Sequence, residues 1–167
     1  MSSNVPSSEN TPGERVDRAD IVEDLNRLMA EEAEACLRYF QMRFRLREKD
    51  YVVAERFFED AMKETMEHAN SIAEQIRSLG HIPTLRVNLA LGGGHMPLEA
   101  ALAEALDVEQ QALDAYKEFL PRVADDPVLT EFIRKQVEVE TEHVQEIREF
   151  VQAKGKVKLV PNPKPEA

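Results

Sequence analysis

Acids and imidazoles recur at matched places in the two halves of this chain, each where an apolar residue is expected. The first half carries Glu32-x-x-Ala35-x-x-x-Tyr39 and then His68-Ala69; the second carries Glu109-x-x-Ala112-x-x-x-Tyr116 and then Glu140-x-x-His143. The Glu positions are 77 residues apart and the His positions 75. An unpaired buried carboxylate either takes up a proton or destabilises the fold by several kcal/mol. Glu32, Glu109 and Glu140, at matching heights on different helices, therefore call for a shared cation. Carboxylate oxygen with imidazole nitrogen, and no thiolate set, favours iron, manganese or zinc. Glu140 and His143 stand three apart on one helix, so both reach the same ion. Taken singly, such a Glu is explained as a snorkelling or salt-bridged residue and such a His as a hydrogen-bonded core residue. The repetition favours a site for a pair of metal ions, because a bundle has no need of a matched acid at mid-helix twice.

The elements that must position these residues are helices. Ile21, Leu25, Leu28, Glu32, Ala35, Tyr39, Met42 and Leu46 trace one face at steps of three and four, beginning at Asp20. Lys49-Asp50 reads as a tight turn. A second stripe runs Phe57, Ala61, Thr65, His68, Ile72, Gln75 and Leu79 and stops at Gly80. The stretch from His81 to Met96, with Pro83 and Gly92-Gly93-Gly94, is the only long connection. Pro97 opens a third stripe of Leu98, Leu102, Ala105, Glu109, Ala112, Tyr116 and Phe119, which Pro121 closes. Asp126-Pro127 caps a fourth, through Leu129, Ile133, Gln136, Glu140, His143, Ile147 and Phe150, with Gly155 as its expected stop. Residues 1–16 are expected to be a disordered tail and residues 155–167 a Pro-rich one, with the bundle at 17–154.

Two short turns flanking one long connection predict the topology. A helix of about 30 residues is about 45 Å long, and a connection of about 15 residues stretches to roughly 50 Å. The connection can thus run the length of the bundle and return the third helix parallel to the second. That is an all-α fold: a four-helix, ferritin-like bundle of two hairpins joined by one crossover.

Composition excludes several other classes. Net charge is −11, which argues against duplex nucleic acid as a partner. The lone Cys36 excludes a disulfide framework and a Cys-x-x-Cys knuckle. No apolar run approaches the ~18 residues of a membrane span, and no signal segment begins the chain, so a soluble cytoplasmic protein is expected.

At the repeated residues the chain resembles the ferritin-like superfamily, most closely the bacterioferritins and related bacterial ferritin-like proteins, over residues 20–153. Leu25-Asn26-x-Leu28 followed by Glu32 and Tyr39 is similar to the opening of a bacterioferritin first helix, and the distance from Glu32 to His68 fits that family. The resemblance implies a four-Glu, two-His cage that binds two irons, oxidises Fe(II) with oxygen or peroxide and feeds a mineral core in a hollow shell. By position it makes Glu32 and Glu109 terminal carboxylates, Glu140 a bridging one, and His68 and His143 nitrogen ligands. Tyr39 becomes a hydrogen-bonding or redox neighbour of the irons, or else a core tyrosine packed between helices.

One position departs from the family pattern. Where the first hairpin should carry a bridging Glu, three residues before His68, this chain has Thr65. Three carboxylates leave a diferrous centre with one uncompensated positive charge. At about 100° per residue, Thr65 lies about 60° to one side of His68 and Glu64 about 40° to the other. A small helix rotation or a π-bulge would bring Glu64 inward as a substitute ligand; otherwise Glu64 is a solvated acid. Met66 occupies the position at which bacterioferritins supply a haem ligand, so haem is a possible cofactor, an exposed Met being the alternative. Cys36, one turn beyond Glu32, reads as small core packing.

The function expected is that of a di-iron ferroxidase acting in iron storage or detoxification, with Fe(II) and oxygen or peroxide as reactants. The alternative is a catalytically impaired partner subunit with a structural, metal-binding or haem-binding role, which Thr65 keeps open. Self-association as a dimer or cage, or co-assembly with a related ferritin subunit, follows from the resemblance. A DNA-protecting mini-ferritin fits less well, since that family places its ligands between subunits. A rubrerythrin-type peroxidase would need a Cys-rich module.

Overall fold

A computed structural model describes residues 18–156, so the expected tail at 1–16 and residues 157–167 lie outside the described part. Four α-helices follow one another: α1 (Arg18–Arg45), α2 (Glu48–Ser78), α3 (Leu98–Phe119) and α4 (Pro127–Lys156), with a 3₁₀ turn, Leu120–Val123, after α3. The fold is the ferritin-like four-helix bundle expected from the apolar stripes.

The first corner is set by tertiary burial. Leu46 is inserted into the core and pairs with Met96 in an isolated parallel bridge, and the Met96 amide donates to the Arg45 carbonyl at 2.9 Å. The chain therefore breaks at Leu46-Arg47, with Arg47 extended. Lys49 and Asp50, expected to form the turn, instead lie in the first turn of α2. There the Asp50 and Tyr51 amides donate to the Arg47 carbonyl at 2.9 and 2.7 Å. An acid is favourable at a helix N-terminus, so Asp50 suits a start as well as a turn.

The other ends follow local chemistry. Gly80 takes φ +85°, with its amide on the Arg77 carbonyl and the His81 amide on that of Ile76, a Schellman stop. Asp126 accepts the Val128 and Leu129 amides on Oδ1, both at 3.0 Å, ahead of Pro127. Pro121 falls in the 3₁₀ turn, two residues past the end of α3 at Phe119. Helix α4 does not stop at Gly155 but continues to Lys156. A glycine costs about 1 kcal/mol in a helix interior, which discourages a terminal turn without forbidding it.

The crossover runs along α1. The Thr84 amide donates to Asn26 Oδ1 (2.7 Å), the Asn88 amide to Glu34 Oε1 (3.3 Å), and Arg45 Nε to the Gly94 carbonyl (3.0 Å). These anchors climb α1 from near its start to its end, so α3 begins beside the end of α1. Helix α3 is thereby parallel to α2 and antiparallel to α1, as the loop lengths predicted.

Two apolar clusters fill the bundle. One holds Leu25, Leu28, Ile72, Ile76, Phe119 and Ile133. The other, toward the opposite end, holds Tyr39, Met42, Phe58, Leu102 and Ile147. Phe58 and Ala54, outside the expected stripe, are fully buried, while Phe57 is only partly so. The inward line of α2 thus runs through Ala54, Phe58, Thr65, Ala69, Ile72 and Ile76. No described helix is long and apolar enough to cross a membrane.

Candidate metal centre

Between the two clusters lies a layer of charge. Glu32 and Glu109 are each 3% exposed and Glu140 is 1% exposed. Each comes from a different helix, α1, α3 and α4; His68 joins them from α2 and His143 from α4. These carboxylates are thus withdrawn from bulk water.

Glu140 stands at the centre of the layer. Its Oε1 is 2.9 Å from Nδ1 of His68 and its Oε2 is 3.6 Å from Nδ1 of His143. Glu32 Oε1 is 3.5 Å from Nδ1 of His68, and Glu109 Oε2 is 3.4 Å from Nδ1 of His143. The two rings stack 5.6 Å apart at 11°. Two donor groups result, Glu32–His68–Glu140 and Glu109–Glu140–His143, the donor atoms of each lying within 4.8 Å of one another. They share Glu140. His68 Nδ1 and Glu140 Oε1, though close, make no hydrogen bond and are buried. Buried polar atoms left without a hydrogen bond are costly, and an ion between them would satisfy both. The donors present therefore fit two ions of the kind that take oxygen and nitrogen ligands.

Metal-free, the layer balances its own charge. Burial disfavours the charged imidazole of His68, but Glu140 and Glu32 prevail and raise its pKa to about 10. For His143, burial is likewise outweighed by Glu109 and Glu140, giving about 11. Burial also pushes Glu140 upward, yet His143 and His68 hold it down at about 2. Glu109 is raised to about 7, mainly by burial and despite His143. Glu32 is raised too, by burial first.

The tyrosines cross between hairpins. The Tyr39 hydroxyl donates to Glu109 Oε1, and the Tyr116 hydroxyl donates to Glu32 Oε1 at 2.6 Å. Because α1 and α3 are antiparallel, the residue two turns past one Glu lies nearer the other Glu. Burial, reinforced by the facing carboxylate, raises both phenols well above their ordinary range, so both stay donors. The resemblance leaves Tyr39 either a neighbour of the irons or a core tyrosine between helices, and its hydrogen bond to Glu109 sets it beside the layer. Tyr116 was not singled out, although it stands to Glu109 as Tyr39 does to Glu32, and the repeat carried that signal.

Four further residues fall outside the layer or beside it. Helix α2 is continuous through this region, with Thr65 inside and Glu64 outside. Thr65 is 3% exposed and its hydroxyl donates to the Ala61 and Met62 carbonyls at 3.0 and 3.2 Å, which turns it back onto its own helix. No bulge brings Glu64 inward: its side chain is 51% exposed, with Oε2 3.5 Å from Nε2 of His143. Met66 is exposed on α2. Cys36 is buried, as expected of core packing.

Comparison with known proteins places the chain. Residues 22–157 match the model of the ferritin-like domain. The bacterioferritin of Desulfovibrio desulfuricans, a structure described by its diiron site in different catalytic states, is similar at 25% identity with a TM-score of 0.77, over 87% of this chain and 86% of that one. Ferritin-like, diiron-carboxylate proteins from Bacillus anthracis str. Ames are similar at 22% identity (TM-score 0.72; 84% of this chain, 99% of that one). Dps from Thermosynechococcus elongatus shares the fold at 14% identity (TM-score 0.74; 84% and 96%). No curated protein sequence gives a significant match. The matched span takes in α1 from Val22 onward, the other three helices and every residue of the layer, and the chain belongs to the ferritin-like domain family.

Proposed function

We propose that the protein is a di-iron ferroxidase that oxidises Fe(II), with oxygen or peroxide as oxidant, in iron storage or detoxification. The observation that carries this reading is the pair of donor groups sharing one buried Glu140. Two irons held side by side supply two-electron redox chemistry. The chain supplies the rest. Glu32 and His68 would hold one ion, Glu109 and His143 the other, with Glu140 between them. The apolar clusters above and below exclude water, and Tyr39 and Tyr116 fix the outer carboxylates. The family and the diiron site of the D. desulfuricans bacterioferritin support iron over manganese or zinc. A cytoplasmic location is part of the same proposal.

The test is aerobic addition of two Fe(II) per chain with ferric absorbance followed in time. Oxidation well above the buffer blank is expected, and a trace no faster than the blank would contradict the proposal. Replacing either tyrosine by Phe removes a donor from a terminal carboxylate while keeping the ring. Loss of such an outer partner costs about 10–100-fold in metal affinity. Tyr116→Phe and Tyr39→Phe are each expected to weaken binding by that order in chelator competition.

A second reading, that of a catalytically impaired partner subunit, is favoured by Thr65 alone. Under the 75-residue repeat Thr65 is the counterpart of Glu140, so a bridging acid is missing from one hairpin. Thr65→Glu is expected to tighten binding of the ion pair and speed Fe(II) oxidation. If the wild-type chain is inert and Thr65→Glu alone confers oxidation, this second reading holds. Haem at Met66 belongs to that reading, and Met66 is an exposed side chain of α2. Self-association is proposed on an exposed apolar stripe of α1, Leu37, Phe40 and Phe44, with Phe40 and Phe44 edge to face at 5.2 Å.

A further inference from the structure

Glu64 meets His143 on the wrong edge of the ring for a shared metal ligand. Both Glu109 and Glu140 approach His143 at Nδ1, at 3.4 and 3.6 Å, whereas Glu64 Oε2 approaches Nε2, at 3.5 Å. The two nitrogens of an imidazole point away from each other, and when one binds an ion the other is free to donate its N–H to an acceptor. A carboxylate at Nε2 therefore stands outside the ion that Nδ1 would hold.

The surroundings give that contact something to do. A cavity of about 190 Å³ reaches Glu109 and His143 from between α2 and α4, and Glu64 lies on its wall with Asp60 and Glu146. The His143 ring stacks on that of His68 and also borders this cavity. It has room to turn unless a partner holds its outer edge. Among the described ion pairs of His143, Glu64 alone reaches that edge.

The arrangement is also one-sided. Under the 75-residue repeat the counterpart of Glu64 is Val139, which offers His68 no equivalent acceptor. His68 meets its two carboxylates, Glu32 and Glu140, through Nδ1. An effect exerted through Glu64 should therefore fall on one ion of the pair.

We infer that Glu64 is a positioning residue: its carboxylate holds His143 by Nε2 and so presents Nδ1 to the ion shared with Glu109 and Glu140. This deepens the proposed metal centre and rests on it. It also assigns Glu64 a role outside the ligand set, distinct from both the inward substitute ligand and the solvated acid that the helix geometry left open. Outer carboxylate partners of metal-bound histidines fix ring orientation, and their loss costs about 10–100-fold in affinity. Glu64 is half exposed, so its substitution leaves the core intact.

The test is anaerobic Co(II) titration of the metal-free wild type, Glu64→Ala and Glu64→Gln, with each equivalent resolved by chelator competition and by the visible Co(II) spectrum. Wild type is expected to bind two equivalents. Glu64→Ala should weaken one of them by about 10–100-fold and leave the other unchanged. Glu64→Gln, which keeps an acceptor oxygen but has no charge with which to bridge two dications, should recover most of the loss. Glu64→Ala binding both equivalents like wild type overturns the inference. So does Glu64→Gln as weak as Glu64→Ala, because Glu64 is then a ligand. A wild-type chain that binds no Co(II) overturns the metal centre itself, and this inference with it.

Discussion

Glu140→Ala is expected to bring Fe(II) oxidation down to the buffer blank and to destabilise the metal-free protein as well. Glu140 is the one residue common to both donor groups, so its loss leaves each ion with a single carboxylate and a single imidazole. The fall in affinity should exceed by a wide margin the about 10–100-fold expected for an outer partner. The structural effect has a separate origin. Glu140 lies between two imidazoles whose charged forms it supports, and the rings stack 5.6 Å apart. Removing one partner of a buried charged set costs about 3–5 kcal/mol, unless the rings shed their protons. A loss of that order in urea unfolding of the metal-free variant, together with lost oxidation, is the expected pair of results. An unaltered oxidation rate would show that the shared carboxylate bridges nothing.

Metal loading is expected to release protons and to suppress the alkaline loss of stability. With pKa values raised to about 10 and about 11, His68 and His143 both carry protons at neutral pH in the metal-free chain. Each must lose one to ligate, and Glu109, raised to about 7, gives up part of another near neutral pH, so about two to three protons per chain should appear when Zn(II) is added in weak buffer. For folding, a raised imidazole pKa contributes stability that is complete below the ordinary value of 6.5 and is lost as pH rises through about 10 and 11. Glu140, held at about 2, contributes stability above its ordinary 4.5 that is lost as pH falls through about 2. Glu109 has the opposite sign for an acid. Raised to about 7, it subtracts stability as pH climbs from 4.5 through that value. Metal-free melting temperatures should therefore be highest between about pH 4.5 and 6.5 and decline into the alkaline range. With Zn(II) bound, neutral imidazoles are the required form, and the alkaline decline should shrink or vanish. Parallel declines with and without Zn(II) would place the histidines away from the metal.

The centre was legible because charge on an apolar stripe is a conflict that local structure cannot resolve. Glu32, Glu109, Glu140, His68 and His143 each broke a helical pattern, and the repeat put them at one level. The topology was legible from loop lengths, since only the His81–Met96 stretch could span the bundle. What escaped reading depended on neighbours. The first corner lies at Leu46-Arg47 because Leu46 is buried against the crossover at Met96, while the polar Lys49-Asp50 pair gave a stronger local turn signal. Thr65 and Glu64 flank the direction of His68 by similar angles, so the inward choice was settled by packing, with Phe58 and Ala54 turning α2. The crossed tyrosines escaped for a similar reason. Helical spacing ties Tyr39 to Glu32 and Tyr116 to Glu109, and only the antiparallel pairing of α1 with α3 exchanges them.

In the proposed centre two ions sit between the apolar clusters, on either side of Glu140. Its most direct test is anomalous diffraction from crystals loaded anaerobically with Fe(II). The expected result is two iron peaks per chain, one against Glu32 and His68 and one against Glu109 and His143, with Glu140 reaching both. An interior without iron in fully loaded crystals, with Glu140 still facing His68 and His143 directly, would contradict it.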